Sequence, residues 1–237
     1  MTNLLSTINA NGFATVENIY TPEEVNAILQ TINKADFSQT NFKKAGALFA
    51  IRQFFKEVPA VLPLVLNPAF LALVTQHFGA DYFIIKSIYF DKPGNSNWFV
   101  ALHQDLTISV DKKVNLPGFI NWTVKQRQFA VQPPENILTE NITFRIHLDA
   151  TTEENGALKV IPGSHLAGVV LPKSDMIEAG VFCPVKKGGV MLMRPLLQHA
   201  SHRTTNAANR RVIHIELSNQ CLPDPLLWSE EIQIFQK

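Results

Sequence analysis

Two short stretches of the chain space a histidine and a carboxylate identically. ALHQDLTISV puts His103 two residues before Asp105, and FRIHLDATTE puts His147 two before Asp149. In a β-strand, residues i and i+2 leave the same face. Either pair therefore aims a nitrogen and an oxygen at one point, and a histidine from a distant strand would complete one face of an octahedron. Two histidines and a carboxylate, with the opposite face open, form the donor set of non-haem Fe(II) oxygenases. Such a pair alone is a weak signal, because a surface pair or a histidine hydrogen-bonded within a strand leaves the same trace. The segment GGVMLMRPLLQHASHRTTNAANRRVIHIEL adds to it: His199 follows an apolar strand, a polar turn comes next, and Arg210 and Arg211 open another strand. A histidine ending one strand and an arginine starting the next can face one cavity. A guanidinium there grips a carboxylate through two parallel hydrogen bonds. The competing account of the arginine pair is a solvated basic strand edge.

Elements able to position these groups are legible around them. In TPEEVNAILQTI, Thr21 is a good N-cap, Pro22 fits the first helical position, and Glu24 completes a capping box. Val25, Ile28, Leu29 and Ile32 then form one apolar stripe. A second helix is expected over NPAFLALVTQHFG, closed by Gly79. Beyond it the pattern becomes DYFIIKSIYFDK, WFVALHQDLTISV, NITFRIHLDA, ALKVIPGS, GGVMLMRPL and RRVIHIELS, short β-branched and aromatic runs punctuated by Gly, Pro and Asn. Helices first and strands after, without alternation, predict an antiparallel sandwich or barrel with helices packed outside. Residues 111–137 read as a long, mostly irregular loop of the kind that forms lids.

Composition narrows the field. The chain has 237 residues, 46% of them hydrophobic, enough for a sizeable core in one domain spanning 1–237. Lys and Arg number 21 against 20 Asp and Glu, a balance that argues against nucleic acid or an anionic membrane as partner. No apolar run approaches the roughly 20 residues of a membrane span. The start, MTNLLSTINANGF, carries neither a basic leader nor a small-residue cleavage site, so a cytoplasmic protein is expected. Cys183 and Cys221 are expected to be buried, reduced thiols.

FDKPGNSNWFVALHQDLTI, VQPPENIL, RIHLDATTEENGALKVIPGSHLAG and GGVMLMRPLLQHASHRTTNAANRRVIHIEL together resemble the phytanoyl-CoA dioxygenase family of Fe(II)- and 2-oxoglutarate-dependent oxygenases, from about residue 80 to 228. The resemblance implies a mainly β, double-stranded β-helix (jelly-roll) core over about 81–220, buttressed by flanking helices over about 21–80. It also implies which pair ligates. The family's H-x-D lies well before the N-G-x-L turn, which selects His103 and Asp105 over His147 and Asp149. His199 matches the distal ligand, Arg210 the arginine for the far carboxylate of 2-oxoglutarate, and Ser201 a hydroxyl on that carboxylate. Trp122 and Lys86 fall near positions that touch the cosubstrate. Leu102 departs from the tryptophan common in relatives, whereas Asp105 keeps the carboxylate that related halogenases lack.

The alternation of Thr143, Arg145, His147 and Asp149 puts four polar residues on one face, which is costly inside a barrel without a ligand or water. Arg145 and His147 are therefore candidate substrate contacts. Lys112, Lys113, Lys125 and Arg127 read as solvated loop charges. Trp98, Phe99, Phe119, Trp122 and Phe129 read as core more readily than as a lid. The expected activity is hydroxylation of an unactivated C–H bond in a small-molecule metabolite, using Fe(II), 2-oxoglutarate and O2 and releasing succinate and CO2. The alternatives are an inactive jelly-roll binding protein and a cupin-like enzyme using another divalent metal.

Overall fold

A computed structural model describes residues 3–35, 42–45, 48–94, 96, 98–125, 128–171 and 174–235. Helix α1 (Leu4–Asn11) starts at Asn3, whose side chain accepts from the Leu5 N–H, and ends at Gly12 with φ +83°. Helix α2 (Pro22–Lys34) has the expected reciprocal cap: the Glu24 N–H donates to Thr21 Oγ1 at 3.2 Å, and the Thr21 N–H to Glu24 Oε2 at 2.8 Å. Two short helices, α3 (Phe54–Glu57) and α4 (Leu62–Val65), precede α5 (Pro68–Phe78), which Asn67 caps through the Phe70 N–H at 2.8 Å. Helix α6 (Glu135–Glu140) lies further on.

The strands form three antiparallel sheets. The largest contains β1 (Phe13–Val16), β2 (Phe42–Ala45), β3 (Leu48–Arg52), β4 (Phe83–Lys92), β9 (Ile142–His147), β12 (Val190–Met193), β14 (Arg210–Ser218) and β15 (Ile232–Gln233). Its order is β1-β12-β9-β14-β4-β3-β2, with β15 also on β4. Facing it, β5 (Val100–His103), β10 (Leu158–Val160), β11 (Val181–Cys183) and β13 (His199–Ser201) form a sheet in the order β11-β10-β13-β5. Along the core the chain passes back and forth between the two sheets, from β4 to β5, β9 to β10, β11 to β12, β12 to β13 and β13 to β14, as a double-stranded β-helix requires. The N-terminal helical support thus also carries strands, since β1, β2 and β3 extend the edges of the large sheet.

Strand alternation divides the large sheet. Phe144, Ile146 and Leu148 from the β9 segment, with Ile213, Ile215 and Leu217 of β14, face outward into one core with Val25, Ile28, Leu29 and Ile32 of α2 and Phe70, Leu73 and Val74 of α5. Inside, Met191, Met193, Leu158, Val160, Cys183, Val185 and Leu197 fill one end of the barrel. Phe83, Ile85, Ile108, Val131, Leu138 and Trp228 form a third apolar cluster, and a cavity remains between the sheets.

Two expectations need correction. Residues 111–137 are not mostly irregular: β7 (Ile120–Lys125) and β8 (Gln128–Gln132) pair with each other, and β8 also pairs with β6 (Ile108–Val110). The period-two pattern was interrupted because Asn121 takes φ +53° and the register shifts between Ile120 and Thr123. Cys183 is buried but Cys221 is exposed, and both are free thiols. Among the described residues, no single helix is long and apolar enough to cross a membrane. Arg127 of the expected loop charges lies outside the described residues.

Candidate metal centre

Strand β13 carries His199 to a place directly opposite His103 on β5, because the two residues are register partners. Their rings lie 4.2 Å apart, centroid to centroid. Asp105 follows two residues after His103, and its position is fixed from three directions. Its own N–H donates to the Pro195 carbonyl at 2.9 Å. The neighbouring Gln104 amide donates to the carbonyls of Leu196 at 2.6 Å and Gly168 at 2.8 Å, and accepts from the Val170 N–H at 3.0 Å. One donor atom each from His103, Asp105 and His199 then lies within 4.8 Å of the others.

The hydrogen bonds also settle which nitrogens are free. His103 Nδ1 is 2.8 Å from the Ala101 carbonyl, and His199 Nδ1 is 2.8 Å from that of Leu197. Each Nδ1 must carry the proton, since a carbonyl only accepts, and this leaves the Nε2 lone pairs pointing inward. Both Nε2 atoms stand 3.7 Å from a carboxylate oxygen of Asp105, His103 from Oδ1 and His199 from Oδ2. Burial pushes His199 down to about 4, against the pull of Asp105, so it is neutral near pH 7. Burial works to raise Asp105, but His199, His214, His103 and Lys86 outweigh it and bring the carboxyl down to about 2. Two imidazole lone pairs and an anionic oxygen converging on one point suit a divalent cation, which this N/N/O set fits.

These groups open on a cavity of about 520 Å³. Its lining includes Arg145 from β9 and Arg210, His214 and Glu216 from the inner face of β14. Arg210 is 7% exposed; its Nη1 donates to the Gly156 carbonyl and its Nε has no partner. Burial, reinforced by Arg145, pulls its guanidinium down to about 9. Ser201 donates to the same Gly156 carbonyl at 3.4 Å, so Ser201 and Arg210 are brought together as expected. Gly156 takes φ +88°, and a side chain there would press on Lys92 Nζ and the His202 carbonyl. That explains the glycine of the N-G-A-L turn.

The other expected contacts divide. Lys86 lines the cavity, but it pairs with Glu216 at 2.6 Å and donates to the Thr107 carbonyl at 3.0 Å. Strand register sets it opposite Glu216, whereas Arg210 lies opposite Lys92 at the other end, so Lys86 and Arg210 do not converge. Trp122 is not part of the lining: it packs on the core of Phe83, Ile108 and Trp228, and Thr123 beside it faces the cavity instead. Trp98 lines the cavity, which the sequence had placed in the core.

Arg145 lines the cavity, but His147 does not. The His147 Nδ1 is 3.0 Å from Thr151 Oγ1, and burial, then Arg145 and Arg210, hold it well below the usual histidine range. Asp149 leaves the polar face altogether: β9 has ended at His147, and the carboxylate turns to Arg211, 2.7 Å from Nη2 and 2.8 Å from Nε. Sequence reading missed His214 and Glu216. Their H-I-E spacing in RRVIHIELS is the same i, i+2 signal as H-x-D, and would have found them.

The phytanoyl-CoA dioxygenase (PhyH) family profile matches residues 8–212. No curated protein matches the chain in sequence. Among solved structures, HygX from Streptomyces hygroscopicus, crystallised with nickel, 2-oxoglutarate and hygromycin B, superposes with a TM-score of 0.67 at 15% identity, covering 92% of this chain and 87% of that one. The non-heme monooxygenase ThoJ as its nickel complex gives 0.68 at 17% identity, covering 99% and 84%. SnoK, an alpha-ketoglutarate-dependent carbocyclase of nogalamycin biosynthesis, gives 0.65 at 16% identity, covering 92% and 83%. At these identities the likeness is one of fold.

Proposed function

From its membership of the phytanoyl-CoA dioxygenase family, we propose that this chain is an Fe(II)- and 2-oxoglutarate-dependent oxygenase that hydroxylates a small-molecule metabolite. The observation that carries the reading is the meeting of His103, Asp105 and His199 on a cavity whose wall holds the buried Arg210. When bound, iron with 2-oxoglutarate would activate O2, one oxygen atom going into succinate as CO2 is released and the other to the substrate.

The chain's own part is positioning. His103 and His199 present Nε2, each held in that tautomer by a backbone carbonyl. Asp105 contributes the charge, and the Gln104 clamp keeps it at ligating distance. Arg210, with Ser201 beside it, would hold the far carboxylate of the cosubstrate in a charge-assisted contact. The three-stranded sheet of β6, β7 and β8 places Ser109, Thr123 and Gln128 along the cavity wall, where they shield the reacting centre from bulk water. HygX, with its nickel, 2-oxoglutarate and antibiotic, and ThoJ, with its nickel, support metal and cosubstrate use on this fold.

Succinate release from 2-oxoglutarate, measured with Fe(II), ascorbate and O2 with and without a metabolite extract, tests the proposal. Turnover that disappears in Asp105→Ala is expected. Iron binding with no turnover under any condition would instead make the chain a jelly-roll binding protein.

A further inference from the structure

Among the groups that line the cavity, one buried cation is left over when the proposed cofactors are counted in; Lys92, also buried, lies off the lining with its Nζ on the His202 carbonyl at 2.6 Å. Iron(II), Asp105, the two carboxylates of 2-oxoglutarate and Arg210 sum to zero charge. Lys86 and Glu216 neutralise each other across 2.6 Å. His214 is neutral by its hydrogen bonds: Nε2 donates to Glu216 Oε1 at 3.1 Å, so Nδ1 is free to accept from Arg145 Nη1 at 3.2 Å. The run Lys86–Glu216–His214–Arg145 therefore ends on a guanidinium with no carboxylate in contact. Arg145 is 7% exposed, its Nε has no hydrogen-bond partner, and among the described residues the acid that acts on it is Asp105, which the metal claims. At the rim, Arg52 on β3, beside Ile88 of β4, adds a second lining cation with no ion-pair partner among the described residues. An unpaired charge so buried is costly unless a ligand supplies its partner.

Resting on the oxygenase reading, we propose that the substrate is an anion, and that its carboxylate or phosphate pairs with Arg145. Neutral His214 orients the guanidinium without using its charge, and Glu216 and Lys86 hold His214 in turn. Arg145 lines the cavity, so an anionic oxygen placed there would meet its charge. Arg52 would receive the same group, or a second one, at the entrance. The cavity of about 520 Å³ leaves room for such a substrate, since pockets of roughly 300–1,000 Å³ hold small organic ligands.

The test uses the whole protein loaded with Mn(II) in place of iron and with 2-oxoglutarate, so that binding is read without turnover. A panel of small carboxylic acids and phosphate monoesters, each beside its neutral amide or alcohol, is titrated by calorimetry and thermal melting. Anions are expected to bind, and their neutral counterparts at least about tenfold more weakly. Arg145→Gln should cut anion affinity at least about tenfold, keep the dissociation constant of 2-oxoglutarate within about twofold, and be partly rescued by Arg145→Lys. Three outcomes overturn the proposal: no anion binding to the loaded wild type, equal binding of the neutral partners, or a loss of 2-oxoglutarate affinity in Arg145→Gln, which would make Arg145 a cosubstrate contact. Failure of the oxygenase reading shows separately, before any panel compound is added, as 2-oxoglutarate that does not bind the Mn(II)-loaded wild type or binds Arg210→Gln equally well.

Discussion

The two faces of β9 and β14 are both buried and hold opposite kinds of group. Outward, Phe144, Ile146, Ile213 and Ile215 are all fully buried against the helices, and each such side chain stabilises the fold by about 1.5–3 kcal/mol. Inward, Arg145, His147, Arg210, His214 and Glu216 are also buried, yet Nε of both arginines and Nε2 of His147 lack partners. Unpaired buried polar groups cost stability rather than adding it. The same strands therefore anchor the fold on one side and hold open a site on the other, and the outer face must offset what the inner one costs.

The sharpest way to break this division is to remove a metal ligand. Asp105→Ala or His199→Ala should lower metal-dependent succinate release by more than about a hundredfold, beyond what losing a supporting contact does, while leaving chemical denaturation of the metal-free protein little changed. Next comes the outer face. Phe144 stacks edge-on with Phe70 and Phe78, and Phe144→Ala should cost about 3–5 kcal/mol in urea melts with metal affinity retained in the folded fraction. Loss of metal binding by a still-folded Phe144→Ala would show that the two faces are not independent. Arg210→Gln should weaken 2-oxoglutarate binding by about 2–5 kcal/mol, read as its dissociation constant, with the metal still bound.

Acid offers a smaller effect on the inner face alone. Burial holds His199 at about 4, well below the ordinary histidine value, so the unfolded chain takes up a proton first as pH falls. The stability of the metal-free protein is then fully present above about 6.5 and declines by on the order of 1–3 kcal/mol as pH falls toward about 4. Denaturation midpoints at pH 7 and pH 5 measure it, and His199→Gln should make the dependence shallower over that window without abolishing it, because His147 is held low by burial as well.

What the sequence made legible follows the same division. The outer face and its helices were readable because apolar period and caps are local signals: Val25, Ile28, Leu29 and Ile32 of α2 are all buried, as their spacing predicted. The convergence of His103 with His199 is non-local, and residue types alone left two H-x-D pairs open. Family resemblance chose between them, and the register of β5 with β13 is what brings the histidines face to face. Trp122 and the β7–β8 pairing were misread for a shared physical reason. A bulge at Asn121 shifts the strand by a residue, and a shift of one exchanges the side that faces the core for the side that faces the cavity.

The finest version of the comparison is a pair of adjacent residues, Arg210 and Arg211, which the sequence could treat only as a basic doublet. Alternation sends them to opposite sides of β14. Arg210 turns inward to the Gly156 carbonyl and keeps an unpaired Nε, whereas Arg211 makes a two-pronged pair with Asp149, their side chains 24% and 19% exposed. The Asp149 carboxylate also accepts from the Arg211 backbone N–H at 2.9 Å, which ties the end of β9 to the start of β14. Partly buried and bidentate, such a pair is worth about 1–3 kcal/mol. Arg211→Gln should therefore lower stability by about 1–3 kcal/mol and leave 2-oxoglutarate affinity unchanged. Arg210→Gln should do the reverse, costing affinity while sparing or raising stability, because it removes a buried charge with no acidic partner. Measured side by side, the two variants isolate the direction of one side chain from its charge. A rise of more than about twofold in the 2-oxoglutarate dissociation constant of Arg211→Gln, or roughly 0.4 kcal/mol, would put both arginines on the site and undo the assignment of faces.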